Sequence, residues 1–284
     1  MLLTVFDPWK SQLCTCPDKL TFNPYTGCDH GCIYCYASSY IPRFSDCRPK
    51  KNLLTRLKRE AAKLRGELVS ISNSSDPYPR LEQNQGLTRK CLEILAESRC
   101  RLQIVTKSDL ITRDIDVLQN VPCAVSVTVL TTDDSLSAKL EPRAPVSSRR
   151  LKAIKKLVKA GIATTVRIDP VIPFVNDEVG TLVEAVAELG VLHVTSSTYK
   201  VKPDNWKRFM AMFPEEAEKL KSLYFSEGER VGRSTYLPKK LRFSLMKKMK
   251  ELTEEHNMKF GCCREGLNLN SGVCDGSWII PKHT

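Results

Sequence analysis

The sequence contains no apolar run near the ~20 residues that a membrane-spanning helix requires, which removes a bilayer from its expected partners. Between Met1 and Lys10 it also lacks a basic stretch followed by an apolar core. That pattern marks secretory signals, so the expectation is a cytoplasmic chain. Aromatic residues are sparse, at 7%, and are not gathered with the basic ones as a base-stacking groove would require. Cysteine, by contrast, is plentiful, with twelve in 284 residues. Disulfides are the common use of so many thiols in exported chains; without an export pattern, metal ligation better explains those that cluster. Cys91, Cys100 and Cys123 stand singly in apolar or helical settings and read as buried small hydrophobes.

Positive charge is in excess, with a formal net charge of +12. Such a surface favours a polyanionic partner such as nucleic acid. Its residues are nevertheless spread over helical segments (Arg56, Lys58 and Arg59; Arg149, Arg150 and Lys152; Lys239, Lys240 and Arg242) and form no single run. A solvated lysine-rich surface explains the charge equally well.

Apolar periodicity alternates along the chain. Residues 20–22, 67–72, 102–106, 123–129, 162–171 and 191–195 read as strands, the last of these as the final strand. Residues 53–65, 87–99, 110–120, 148–160 and 177–189 read as helices, with Gly161 and Gly190 at cap positions. Alternating strands and helices imply parallel βα units, wound as a barrel or as an open doubly wound sheet. Cys28 follows the first strand, Ser74, Ser75 and Asp76 the second, and Lys107 the third. Residues so placed converge on one mouth in a barrel, whereas an open sheet gathers them at a single switch point. The expected architecture is therefore α/β, a partial TIM-like barrel over residues 20–200. A lead over residues 1–19 carries Cys14 and Cys16. Residues 201–284 form a helical C-terminal extension (204–213, 214–225 and 237–257) whose tail, of loop composition, carries Cys262, Cys263 and Cys274.

The chemistry centres on Cys28, Cys32 and Cys35, spaced C-x3-C-x2-C in one loop. Thiolates ligate iron–sulfur clusters, and a four-iron cluster has four corners. Three close cysteines hold three corners and leave one iron open to bind and activate another molecule. Zinc sites more often pair one C-x2-C knuckle with a second further on. Gly27 and Gly31 permit a tight backbone path around a bulky group.

The run Thr26-Gly-Cys-Asp-His-Gly-Cys-Ile-Tyr-Cys-Tyr36 resembles the cluster motif of the radical S-adenosylmethionine (radical SAM) enzymes. More narrowly, it is similar to that of the spore photoproduct lyase-like group, often labelled DNA repair photolyase-like. The resemblance continues through Ser74-Ser-Asp-Pro-Tyr78, Val105-Thr-Lys-Ser108, Val125-Ser-Val-Thr128, Leu140-Glu-Pro-Arg143 and Asp169-Pro-Val-Ile-Pro173, and covers about residues 20–195. It implies a partial (β/α)6 barrel and a [4Fe-4S] cluster on Cys28, Cys32 and Cys35. S-adenosylmethionine would chelate the open iron and be cleaved reductively to a 5′-deoxyadenosyl radical that abstracts hydrogen from a nucleic-acid or peptide substrate. An electron donor such as ferredoxin or flavodoxin is implied as partner. By the same resemblance Ser75 and Asp76 match the segment contacting the cofactor's amino group, Lys107 the lysine pairing its carboxylate, and Ser126 a further polar contact. Tyr34 and Tyr36 match tyrosines of a radical relay and are the catalytic candidates. The photoproduct lyase carries a hydrogen-donating cysteine three residues before this aspartate; here that position is Asn73, and an amide gives up no hydrogen atom.

Arg167 and Asp169, two apart and so on one strand face, together with Glu141 and Arg143, read either as mouth residues or as structural ion pairs. Cys262, Cys263 and Cys274 can be read as an auxiliary metal site, such as a second iron–sulfur cluster completed by Cys14, Cys16 or another group. They can equally be free thiols, or supply the missing hydrogen donor. Two competing readings of the whole chain are a non-catalytic iron–sulfur electron-transfer or nucleic-acid-binding module, and a zinc protein. An electron relay has no use for Ser75, Asp76 and Lys107, which weighs against the first.

Overall fold

Apolar and polar residues alternate along a set of strands that lie side by side in chain order. The structure, a computed structural model, describes residues 1–6 and 13–282. Residues 7–12 of the expected N-terminal lead, and so part of the segment read for an export signal, lie outside the described residues. The chain forms β1 (Leu20–Phe22), α1 (Leu53–Ala61), β2 (Leu68–Ile71), α2 (Leu87–Ala96), β3 (Arg101–Thr106), β4 (Cys123–Thr128), α3 (Ser147–Lys159) and β5 (Ala163–Val171). It continues through α4 (Gly180–Glu188), β6 (His193–Thr198), α5 (Pro203–Met212), α6 (Pro214–Phe225), α7 (Lys239–Glu255) and β7 (Lys259–Cys262).

β1 to β7 are parallel neighbours in sequence order, and Thr4–Val5 pairs antiparallel to the outer edge of β1. An order that never reverses has no switch point and keeps its helices on one face, as in a barrel wall. The wall stays open at both edges, so the barrel is partial, as expected. Its outer face is apolar: Val69, Ile71, Leu102, Ile104, Val125, Val127, Val166, Ile168 and Val194 pack under Leu57, Leu92, Leu95, Ile154, Leu157 and Val183 of the helices. Burying this face supplies the main folding drive, at roughly 25 cal/mol per Å² of apolar surface. The inner face carries Ser70, Gln103, Ser126, Thr165, His193 and Thr195, all buried. Polar residues on the concave side of a wall this well covered mark a lumen rather than a second core.

Two expectations are corrected. Residues 191–195 are not the final strand: β7 adds parallel to β6, with Phe260 opposite Val194 and Cys262 opposite Ser196. Part of the tail is therefore barrel wall, because Phe260 and Cys262 complete the apolar outer face that α7 covers. Before α7, which begins only at Lys239, the chain makes a hairpin, Glu229–Val231 with Ser234–Tyr236. Beyond β7 the tail crosses under the N-terminal ends of the strands. There Asp275 pairs with Lys19 at 2.5 Å, and the Gln103 side-chain amide donates to the Asp275 carbonyl at 2.7 Å. No helix among the described residues is long and apolar enough to cross a membrane.

Candidate active site

The three-cysteine loop lies where β1 ends, at the opposite end of the strands from Asp275. Its path is fixed mainly by backbone contacts. Cys28 N donates to Phe44 O at 2.8 Å, Ile33 N to Leu140 O at 3.0 Å, and Cys35 N to Cys32 O at 3.2 Å. Gly31 has φ of +70°, where an L side chain is strained, and a Cβ there would stand 3.1 Å from Arg143 Nε and press on that side chain. α5 holds the loop from outside. Arg208 donates to Ile33 O at 3.2 Å and to Cys35 O at 2.9 Å. The Asn205 amide donates to Tyr34 O at 3.1 Å. Neither residue was marked by the sequence, where Arg208 is one basic helical residue among many.

Burial, with the fields of Asp76 and Cys32, pushes the Cys28 thiol well up. Burial, with Glu141, pushes Cys32 up to about 12. Thiols so placed ionise when a cationic group binds, releasing their protons. The donor set, three thiols on one rigid loop, fits three corners of an iron–sulfur cluster. Asp29 and His30 also bring ligand atoms within 4.8 Å of the Cys28 sulfur and of each other. The His30 ring, however, already turns Nε2 to Asp76 Oδ2 at 3.3 Å, which ties the loop to the second strand's end.

Beneath the loop sits a buried charge cluster. Glu141 pairs with Arg150 and accepts from the Tyr34 hydroxyl. The Lys107 ammonium stands 3.9 Å from Glu141 Oε1, an ion-pair separation too long for a hydrogen bond. Burial alone would raise the Glu141 carboxyl, but Arg150 and Lys107 outweigh it and hold it low. Burial would lower Lys107, but Cys32 and Glu141 outweigh it and keep its pKa raised. Lys107 is thus a cation beside Cys32 with donors to spare. Tyr34 is buried and committed to Glu141, whereas Tyr36 is 43% exposed and stacks against Tyr40.

The other sequence-predicted residues separate into engaged and unengaged groups. Asp76 accepts from Thr106 Oγ1, the Lys107 backbone N and the Tyr78 backbone N, each between 2.7 and 2.9 Å. Burial would raise its pKa, yet His30 and these donors bring it to about 2. Ser75 Oγ donates to Tyr25 O at 2.9 Å. Ser126 Oγ is buried without a partner among the described residues, as is Thr165 Oγ1 directly across from it on β5. Adjacent unpartnered hydroxyls facing a lumen suit a bound polar ligand. Asn73 donates its side-chain amide to Thr21 Oγ1, and its backbone N donates to Asn23 Oδ1 at 3.1 Å. At the mouth Arg167 pairs with Asp169 at 2.6 Å, and Lys200 with Glu265 at 3.1 Å. Arg143 lies against Gly31.

Cys262, Cys263 and Cys274, read as an auxiliary metal site, as free thiols or as a hydrogen donor, stand in three different surroundings. Successive residues of a strand point to opposite faces, so Cys262 sits in the outer apolar core. Cys263 faces inward, hydrogen-bonded with Arg167. Cys274 lies below the barrel, its sulfur 3.4 Å from that of Cys16.

Comparison with known proteins places this geometry among relatives. A family model described as the Radical SAM superfamily matches residues 22–186. An uncharacterised protein of Mycobacterium tuberculosis is 28% identical over 261 residues, which cover 85% of this chain and 76% of the relative. A radical SAM Nalpha-GlyT isomerase of Pseudomonas phage M6 is 23% identical over 280 residues, covering 92% of this chain and 57% of its own. Among solved structures, spore photoproduct lyase complexed with dinucleoside spore photoproduct superposes with a TM-score of 0.64 at 16% identity, covering 82% of this chain and 71% of that one. That last likeness is one of fold.

Proposed function

The chain belongs to the radical SAM superfamily, and from that premise we propose that it is an enzyme whose Cys28, Cys32 and Cys35 hold a [4Fe-4S] cluster with one open iron, for reductive cleavage of S-adenosylmethionine and hydrogen abstraction from a substrate in the barrel mouth. When bound, the cluster and S-adenosylmethionine supply the one-electron cleavage and the hydrogen abstraction. The protein's own residues supply position and charge. Lys107, cationic beside Cys32, pairs the cofactor carboxylate; a carboxylate in so dry a pocket needs such a partner. Ser126 offers its unpartnered hydroxyl. Asp76, saturated by protein donors, acts by fixing His30 and the Lys107 backbone, with Ser75 bracing the same loop against Tyr25. Tyr34 orients Glu141, and Tyr36, at the exposed rim, is the tyrosine available to a substrate. Residues 20–200 carry the chemistry, and 201–284 clamp it from α5 and close the floor.

The observation that carries this reading is the three-thiol loop after the first strand beside Lys107 at the end of the third, a buried cation whose pKa Cys32 and Glu141 keep raised. Nucleic acid is the substrate class we favour. The +12 charge suits phosphate contacts outside the mouth. Arg167 with Asp169 and Lys200 with Glu265 are internally paired at the mouth, which suits an uncharged group such as a base. Reduction of a cluster held there would need an external one-electron donor, such as one of the ferredoxin or flavodoxin kind. Anaerobic incubation of the iron-loaded protein with dithionite and S-adenosylmethionine is expected to release 5′-deoxyadenosine. No such product from protein carrying about four irons per chain would count against the reading.

A further inference from the structure

Below the barrel, at the far end of β1 from the three-cysteine loop, a second set of thiols meets. Cys16 Sγ and Cys274 Sγ share a hydrogen bond of 3.4 Å across 258 residues of chain, with no disulfide between them. Cys14 is hydrogen-bonded to Cys16 from its other side. Cys91, Cys100, Cys123 and Cys262 all belong to the apolar core, whereas Cys14, Cys16 and Cys274 belong to none of the hydrophobic clusters.

Cys274 is held in place independently of its sulfur. Thr195 Oγ1 donates to its carbonyl at 3.0 Å. Gly261 of β7 packs so close that a Cβ there would fall 2.0 Å from that carbonyl oxygen. The next residue, Asp275, is bonded to Lys19, three positions after Cys16. Both sides of the thiol contact are therefore fixed before any ligand arrives, which spares a bound ion the cost of ordering them.

We propose that Cys14, Cys16 and Cys274 bind a single thiophilic divalent cation of the Zn²⁺ class, distinct from the Cys28, Cys32 and Cys35 site, and that it staples the N-terminal lead to the tail that floors the barrel. Soft thiolate donors select such ions. Two thiolates about 2.3 Å from one tetrahedral ion stand roughly 3.8 Å apart, close to the Cys16–Cys274 separation. Thiolates on different corners of a four-iron cluster stand much further apart. Cys14, half-exposed, completes the set by a side-chain rotation, and the fourth position is left to water.

The test uses the full-length protein, purified anaerobically from zinc-supplemented cells, with zinc and iron measured in the same digest. About one zinc per chain is expected, lost at least tenfold in Cys16→Ser/Cys274→Ser, which keeps its iron. Zinc retained in that variant, wild-type protein without stoichiometric zinc, or a Cys16–Cys274 disulfide in the anaerobic protein would each overturn the proposal. If the double variant does not fold, zinc-edge X-ray absorption on the wild type decides. A shell dominated by about three sulfurs near 2.3 Å supports the site, and one dominated by nitrogen and oxygen removes it.

Discussion

Arg208 donates a hydrogen bond of 2.9 Å to the carbonyl oxygen of Cys35, from a helix 173 residues further along the chain. The same guanidinium reaches Ile33 O and the Ser38 hydroxyl, and pairs with Asp204 at 3.1 Å. A planar fork with several donors can hold three points of the loop at once while staying paired on its own helix, which an ammonium does less well. The loop that presents the thiols is thus rigid because the C-terminal region grips its backbone.

Replacing this clamp should loosen the metal site without unfolding the barrel. In Arg208→Met the carbonyl of Ile33 loses its guanidinium donor and that of Cys35 keeps only the Ser38 hydroxyl, while the outer apolar core is untouched. We expect iron per chain after reconstitution to fall at least twofold and cluster bleaching in air to accelerate several-fold, with the urea midpoint nearly unchanged. Arg208→Lys should recover only part of this. Iron retention at the wild-type level in Arg208→Met would remove the clamp from the account.

Glu141 presents the opposite case, a single anion between two cations. Glu141→Gln keeps the shape but leaves Arg150 and Lys107 without their counter-charge. Breaking one side of a buried pair typically costs about 3–5 kcal/mol, so the urea midpoint of the anaerobic protein should drop markedly. Tyr34→Phe removes one hydrogen bond to the same carboxylate and should cost only about 1–3 kcal/mol. Equal losses in the two variants would contradict this ordering.

The barrel was legible because its signal is local. An apolar strand beside an amphipathic helix shows its period within a dozen residues, and the six segments read as strands are strands. β7 was not legible, since Phe260-Gly-Cys-Cys stands among Gly, Asn and Ser, and only its pairing with β6 makes it extended. Strand alternation, applied to residues 262 and 263, would have separated those two cysteines at once. The thiol loop and the strand-end positions of Asp76 and Lys107 could be read from spacing. Contacts such as Arg208 to Cys35 or Cys16 to Cys274 leave no trace in local pattern, because each partner is an ordinary residue in its own segment.

Lys107 offers a direct test of the cofactor pocket. Its backbone N is spent on Asp76, while its ammonium stands 3.9 Å from Glu141 Oε1 and 5.7 Å from the Tyr34 ring centroid, with no hydrogen bond to a carboxylate among the described residues. A charge-assisted hydrogen bond to a carboxylate is worth about 1.5–3 kcal/mol, so Lys107→Met should weaken S-adenosylmethionine binding about 10- to 150-fold. Equilibrium binding to the anaerobic, iron-loaded variant measures this, and iron content checks that the loop is intact. Unchanged affinity would place the cofactor carboxylate elsewhere.

His193 links the floor of the barrel to pH. Trp278 Nε1 donates to its Nδ1 at 3.2 Å, and its Nε2 lies 3.2 Å from Thr195 Oγ1. The first contact requires a bare Nδ1, so the fold selects the neutral ring. Burial is the main cause lowering its pKa from 6.5 to about 4; Arg167 adds to it, while the Cys274 carbonyl and Asp275 oppose it. Because the folded value lies below the unfolded one, the unfolded chain holds an extra proton between about pH 6.5 and 4. Stability contributed by the neutral ring is therefore complete above that window and falls as the pH drops through it. Between pH 7.5 and 5.0 the wild type should lose about 2 kcal/mol through this residue. His193→Asn should lose correspondingly less over the same interval, whatever its stability at pH 7.5. Urea unfolding of both proteins across that range measures the difference in slope. Parallel curves would mean that the ring takes up its proton in place, without disturbing the tail beneath the barrel.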